Sequence, residues 1–132
     1  MKNNYENLPY RSGVGIVVLN KDNKVFVAER IDGKKNFWQM PQGGVDDGEN
    51  YVDAAYRELK EETSIESVAL IKELDGLISY KLQPHLLGII WHGKFKGQQQ
   101  KWFLMRFLGQ DSEINIKTKI PEFCEWKWID LE

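Results

Sequence analysis

Three glutamates, Glu58, Glu61 and Glu62, stand at i, i+3 and i+4 in this 132-residue chain. On a helix, 100° per residue turns all three onto one face. Like charges at those spacings cost about 0.2–0.5 kcal/mol per pair, so something should compensate them. Hard divalent cations such as Mg²⁺ bind oxygen and favour carboxylates completed by waters and substrate phosphates, which makes this face a sensible cation site. Ala54, one turn before Glu58, is small and leaves room for an ion. A solvated acidic face paired with Arg57 and Lys60 would use the same spacing. Nucleophilic chemistry has no comparable support, because no Ser-His-Asp or Cys-His arrangement is evident. His85 and His92 are isolated and read as surface or loop residues, and the lone Cys124 as a packing residue.

The charges are segregated along the chain. Between Asp46 and Glu66 lie Asp46, Asp47, Glu49, Asp53, Glu58, Glu61, Glu62 and Glu66, offset only by Arg57 and Lys60. From Gly76 to Gln110 there is no Asp or Glu, while Lys81, Lys94, Lys96, Lys101 and Arg106 interleave with Tyr80, Trp91, Phe95, Trp102 and Phe103. This pattern suggests a metal-binding half facing an anion-binding half.

The elements that must position these residues are legible in outline. Asn50 to Thr63 has helical periodicity, with Val52, Ala55, Tyr56 and Leu59 as the expected buried stripe. Gly13 to Asn20 is apolar and β-branched enough for a buried strand; Lys21-Asp22-Asn23 turns the chain into a second strand, Val25 to Arg30. A short Phe37 to Met40 segment ends at Pro41 and the Gln42-Gly43-Gly44 turn. Further strands are predicted at Val68 to Leu74, Leu77 to Leu82, Lys101 to Leu108 and Glu125 to Ile129. Trp38, Trp102, Trp126 and Trp128 alternate with polar neighbours, as half-buried strand residues do.

Around the acidic helix, Gly43, Glu49, Arg57, Glu58, Leu59, Glu61, Glu62 and Ile65 match the pattern Gly-x5-Glu-x7-Arg-Glu-U-x-Glu-Glu-x-Gly-U, with U aliphatic, at every position but one. At about 7% usage per residue type, the matched Gly, Glu and Arg positions arise by chance about once in ten million starts. On this box the chain resembles the Nudix hydrolase superfamily. Tyr10-Arg11-Ser12-Gly13-Val14-Gly15, Trp38-Gln39-Met40-Pro41-Gln42-Gly43-Gly44, Tyr80-Lys81-Leu82, the Gly97 to Phe103 run, Pro121-Glu122-Phe123 and Trp126-Lys127-Trp128 extend the likeness. They resemble the bacterial RNA pyrophosphohydrolase branch, also described as dinucleoside polyphosphate hydrolases.

The resemblance implies an α/β/α sandwich with a mixed sheet and one catalytic helix. It implies metal-dependent hydrolysis of 5′-triphosphorylated RNA ends to 5′-monophosphates with release of pyrophosphate. Cleavage of diadenosine tetraphosphate-type substrates is the alternative, and a silent nucleotide- or RNA-binding module the non-enzymatic one. Carried over by position, Glu58, Glu61 and Glu62 would bind Mg²⁺ or Mn²⁺, more than one ion per site, with Glu122 as a further ligand or general base. Arg11, Arg30, Lys81 and Lys101 are the expected phosphate partners, with Gln42, Tyr80 and the Gln98 to Gln100 run expected to add hydrogen bonds or stacking to the substrate. Gly43, Glu49 and Arg57 are expected to hold the glycine-rich loop to the helix. Ser64 replaces the family's glycine where the helix ends, and local strain is expected there. Ser12 replaces the usual proline after Tyr-Arg, and the helix that generally follows the Trp-x-Trp strand is missing from this sequence.

Composition sets the remaining bounds. At 42% hydrophobic and 29% charged residues, 1–132 is expected to fold as one globular domain. A net charge of −2 predicts no particular partner, and neither DNA nor a membrane is expected as one. The longest apolar run, around Leu86 to Trp91, is far short of the ~20 residues of a bilayer span. The absence of an apolar segment near Met1 and the single cysteine fit the cytoplasm.

Overall fold

In a computed structural model, which describes residues 8–31, 38–81, 94–118 and 121–130, Tyr10–Leu19 forms the central strand β1. Val14, Ile16 and Val18 point to one face and are fully buried, as period-two alternation requires. Around it run β2 (Val25–Arg30), β3 (Trp38–Gln39), β4 (Gln42–Gly44), the helix α1 (Tyr51–Thr63), β5 (Val68–Glu73), β6 (Ile78–Lys81), β7 (Gly97–Phe107), a 3₁₀ turn at Asp111–Glu113 and β8 (Phe123–Ile129). The sheet has the order β3-β2-β1-β7-β5, with β4 paired to β1, β6 to β7 and β8 to β2. It is mixed: β1 and β7 are parallel over Tyr10↔Gly97 to Leu19↔Arg106, and the other pairs are antiparallel.

Ala54, Ala55 and Leu59 of α1 are buried against Val14, Ile16, Phe103 and Met105 on one sheet face. Phe26 stacks on Trp126 at 5.7 Å and meets the edge of Trp128 at 5.8 Å, joining β2 and β8 to the same core. A smaller cluster of Leu19, Val25 and Val27 with Val17, Trp38, Met40 and Leu104 covers the other face. The described residues contain one α-helix, so the second helical layer of the expected sandwich is not among them. None of their helices is long and apolar enough to cross a membrane.

Three strands begin earlier than their apolar residues predict. β1 gains Tyr10 to Ser12 and β7 gains Gly97 to Gln100, because these polar segments are each other's ladder partners. β8 gains Phe123, which pairs with Arg30 across a register shift. The buried stripe of α1 also differs from the expected one. Tyr56 is exposed, whereas Ala54 lies in the core and is not a space for an ion, and Glu62 is buried with it. The apolar run at Leu86 to Trp91 and both histidines lie outside the described residues.

The helix ends are explained by single side chains. Asn50 caps the start, its Oδ1 accepting from the Asp53 N–H at 2.8 Å. Ser64 ends it in the left-handed region, at φ 67°, with its N–H on the Lys60 carbonyl. The expected strain is offset, since the Ser64 hydroxyl donates to the Asn115 carbonyl at 2.8 Å and the Asn115 N–H returns to Thr63. Ser64→Gly would therefore exchange a hydrogen bond for backbone relief. It should move the free energy of urea unfolding by less than about 1 kcal/mol and leave turnover unchanged.

Candidate active site

β4 and α1 lie side by side, and the glycines of β4 decide how closely. Glu58 Oε2 occupies the space a Cβ on Gly43 would fill, and the Arg11 guanidinium does the same at Gly44. Both glycines are required by close approach. Arg57 then locks the loop between β4 and α1 to the helix. Its Nε and Nη2 donate to the two carboxylate oxygens of Glu49 at 2.9 Å, Nη2 also reaches the Gly44 carbonyl at 2.8 Å, and Nη1 reaches Glu58 at 2.8 Å and Glu61 at 3.1 Å. Glu49 Oε1 further accepts from the Asp46 N–H at 3.0 Å. The Arg57 hydrogen bonds hold the Glu49 carboxyl below its ordinary range.

The three helix carboxylates have different environments. Glu61 is the most exposed and is turned toward Arg57. Glu58 is mostly buried, and burial pushes its pKa up against the opposing pull of Arg57. Glu62 is only 4% exposed. Burial first, then a hydrogen bond and charge repulsion from Glu122, push its pKa up to about 10, despite the Gln42 backbone N–H that favours its charged form. Glu62 Oε1 is buried and has no hydrogen-bond partner. Glu122, from the segment entering β8, faces Glu62 and forms a 3.9 Å ion pair with Arg30 Nη1.

Glu58, Glu62 and Glu122 form a wall shared by two grooves. The sheet-side groove, about 430 Å³, is otherwise lined by Arg11, Arg30, Gln39, Gln42 and Gln98 with the β4 glycines. It offers cations and amides, the donors a phosphate chain needs. The helix-side groove, about 820 Å³, adds Arg57, Lys60, Glu61, Ser64, Glu66 and Thr118. Among the described residues no three acidic, histidine or cysteine side chains converge into a ready-made cation cage. The donor set nonetheless fits a hard cation: a buried carboxylate oxygen lacks a partner, and adjacent carboxylates repel one another until a positive charge arrives.

Of the expected substrate residues, Arg11, Arg30, Gln42 and Gln98 come together in the sheet-side groove. Lys101 does not join them; it projects to the other side of β7, is largely buried, and pairs with Glu73 at 3.4 Å. Lys81, exposed on β6, lines neither groove, and the Tyr80 side chain lies outside what the structure describes. Among the described residues, the cations of the basic, aromatic stretch line neither groove. The cations of the sheet-side groove come from β1 and β2, and β7 contributes Gln98. Gln39 was not singled out from sequence, and its position beside Pro41-Gln42-Gly43 was the available signal.

The chain is similar to known proteins. The chain is 76% identical over all 132 of its residues to an RNA pyrophosphohydrolase of Pelagibacter ubique, spanning 84% of that protein. It is 47% identical over 127 residues to an RNA pyrophosphohydrolase of Orientia tsutsugamushi, covering 96% of this chain and 79% of the relative. Among solved structures, the E. coli dihydroneopterin triphosphate pyrophosphohydrolase superposes with a TM-score of 0.72 at 26% identity, over 92% of this chain and 83% of that one. The sequence profile of the NUDIX domain matches residues 9–132, and with a box built around Gly43, Arg57 and Glu62 this chain belongs to the NUDIX family.

Proposed function

We propose that this chain hydrolyses 5′-triphosphorylated RNA to 5′-monophosphorylated RNA and pyrophosphate. The observation that carries the reading is the wall of Glu58, Glu62 and Glu122 standing between a groove of arginines and amides and a groove of carboxylates. The 76% identity to a protein named RNA pyrophosphohydrolase supports the choice of substrate. Nudix hydrolases use divalent metal ions. Here the ions would be Mg²⁺ or Mn²⁺, more than one per site, held by Glu58, Glu61, Glu62 and Glu122. When bound, they supply positive charge at the phosphates and lower the pKa of an attacking water.

The chain's own residues do the rest. Arg11 and Arg30 pair with phosphate oxygens, where a guanidinium fork gives orientation as well as charge. Gln42 adds an amide donor beside them. Water adds to phosphorus as the bond to the departing pyrophosphate breaks, and its proton passes to a carboxylate of the wall. No residue of this chain is acylated or phosphorylated. Gly43 keeps the Glu58 carboxylate in place. Gly43→Ala puts a methyl group into that carboxylate and should lower kcat about 100-fold or more, read by steady-state kinetics, because displacements of about 1 Å cost that much.

Diadenosine tetraphosphate offers the same phosphate chain to the same groove. A competition assay decides between them: one preparation, Mg²⁺, a short 5′-triphosphorylated RNA and diadenosine tetraphosphate, with products read by mass. Faster conversion of the RNA to its 5′-monophosphate is expected. Faster appearance of ATP and AMP, or of two ADP, would reassign the chain to dinucleoside polyphosphates. No turnover with Mg²⁺ or Mn²⁺ would leave a binding module.

A further inference from the structure

One lining residue of the sheet-side groove, Gln98, comes from β7, a strand far in sequence from β1, β2 and β4. Gln98, Gln100 and Trp102 alternate on one face of β7, and β1 lies between β7 and β4. On that face β1 presents Gly13 and Gly15, which have no side chains to obstruct the crossing. A Cβ at Gly13 would enter the Gln98 amide, and one at Gly15 would enter the Trp102 ring. The side chain between those two belongs to Gln100. It is 4% exposed and reaches across β1, its Nε2 donating to Gln42 Oε1 at 2.5 Å.

This bond sets the orientation of a groove residue. Gln42 has one carbonyl acceptor and one NH₂ donor on its side chain. With the carbonyl engaged by Gln100, the NH₂ end is presented to the groove that Gln42 lines with Arg11 and Arg30. The reverse orientation would put a carbonyl oxygen beside phosphate oxygens, an acceptor against acceptors. We infer that Gln100 is a positioning residue that fixes Gln42 as a donor to the substrate phosphates, on a face of β1 that Gly13 and Gly15 leave open to the flanking side chains Gln98 and Trp102. The inference rests on the proposed phosphate-chain hydrolysis and adds to it a determinant on β7, across β1 from Gln42.

The test is a double-mutant cycle on the full chain with Mg²⁺ and 5′-triphosphorylated RNA. Gln100→Glu keeps the shape and removes the donor, and it attracts the Gln42 NH₂ away from the groove. Gln100→Met removes the donor without adding charge and gives the same comparison should the glutamate not fold. KM is expected to rise about tenfold in either variant, with kcat within about twofold of the parent. In a Gln42→Ala background, which has its own raised KM, either Gln100 change should add less than about twofold. Effects that multiply fully in the double variant, or a fall in kcat at unchanged KM, would overturn the inference and leave Gln100 a packing residue. Should the parent chain process diadenosine tetraphosphate and not RNA, the substrate reading fails. The same cycle run on that substrate still decides the role of Gln100.

Discussion

Glu62→Gln is expected to lower kcat for conversion of 5′-triphosphorylated RNA by about 10³-fold or more in Mg²⁺, while making the cation-free protein more stable at alkaline pH. The first effect follows from placing Glu62 on the wall shared by both grooves, where a neutral amide supplies neither a charged ligand nor a proton acceptor. The second follows from its proton. Without a cation the folded chain keeps Glu62 protonated up to about pH 10, whereas an unfolded glutamate ionises near 4.3. The folded state binds the extra proton between those limits. Its contribution to stability is complete below about pH 4 and is lost progressively as pH rises toward about 10. Glutamine has no such proton to lose. In EDTA the melting temperature of Glu62→Gln should exceed that of the parent by about 5 °C or more at pH 8, and the two should converge near pH 5. A variant less stable at both pH values would give Glu62 a structural part instead.

Arg57→Ala should be the most destabilising single change at the site. It removes the donor of five hydrogen bonds, to both oxygens of Glu49, to Glu58, to Glu61 and to the Gly44 carbonyl. An exposed ion pair is worth about 0–1 kcal/mol. Here the side chains of Arg57, Glu49 and Glu58 are 25%, 17% and 14% exposed, so their carboxylates would be stranded away from water. Unfolding in urea should show a loss of about 3 kcal/mol, with kcat reduced roughly 100-fold as the Gly44 loop separates from the helix. Arg57→Lys keeps the charge but not the planar fork. It should recover less than half of the lost stability.

The residues that announce themselves in the sequence are those whose identity cannot vary with position. Gly43 must lack a side chain, Arg57 must reach several acceptors, and the three helix glutamates must share a face; each requirement leaves a mark at fixed spacing. The helix, all of β2 and the apolar parts of β1, β7 and β8 were legible because local periodicity reports burial, whereas β5 was legible from its apolar composition although its residues are mostly exposed. Two kinds of feature were not. Polar strand extensions such as Tyr10 to Ser12 and Gly97 to Gln100 exist through parallel pairing between distant segments, and no local pattern reports a distant partner. Side-chain direction was the other. Lys101 is adjacent in sequence to Gln100, but pleating sends it to the opposite face, where Glu73 meets it. Charge counted along the chain cannot distinguish those two faces.

The ten-residue parallel ladder between β1 and β7 has a consequence for how the molecule is made. Tyr10 meets Gly97, and Leu19 meets Arg106. During synthesis from the N-terminus, the first strand emerges early and waits for a partner encoded most of a chain length later. At about 5–20 residues per second that interval is several seconds or longer, far beyond the time a helix such as α1 needs to form. The glutamates are therefore synthesised before the strand order that encloses them exists. The groove carrying Arg11 and Gln98 can close only after β7 has been translated, which makes the catalytic centre one of the last parts of the nascent protein to acquire its shape.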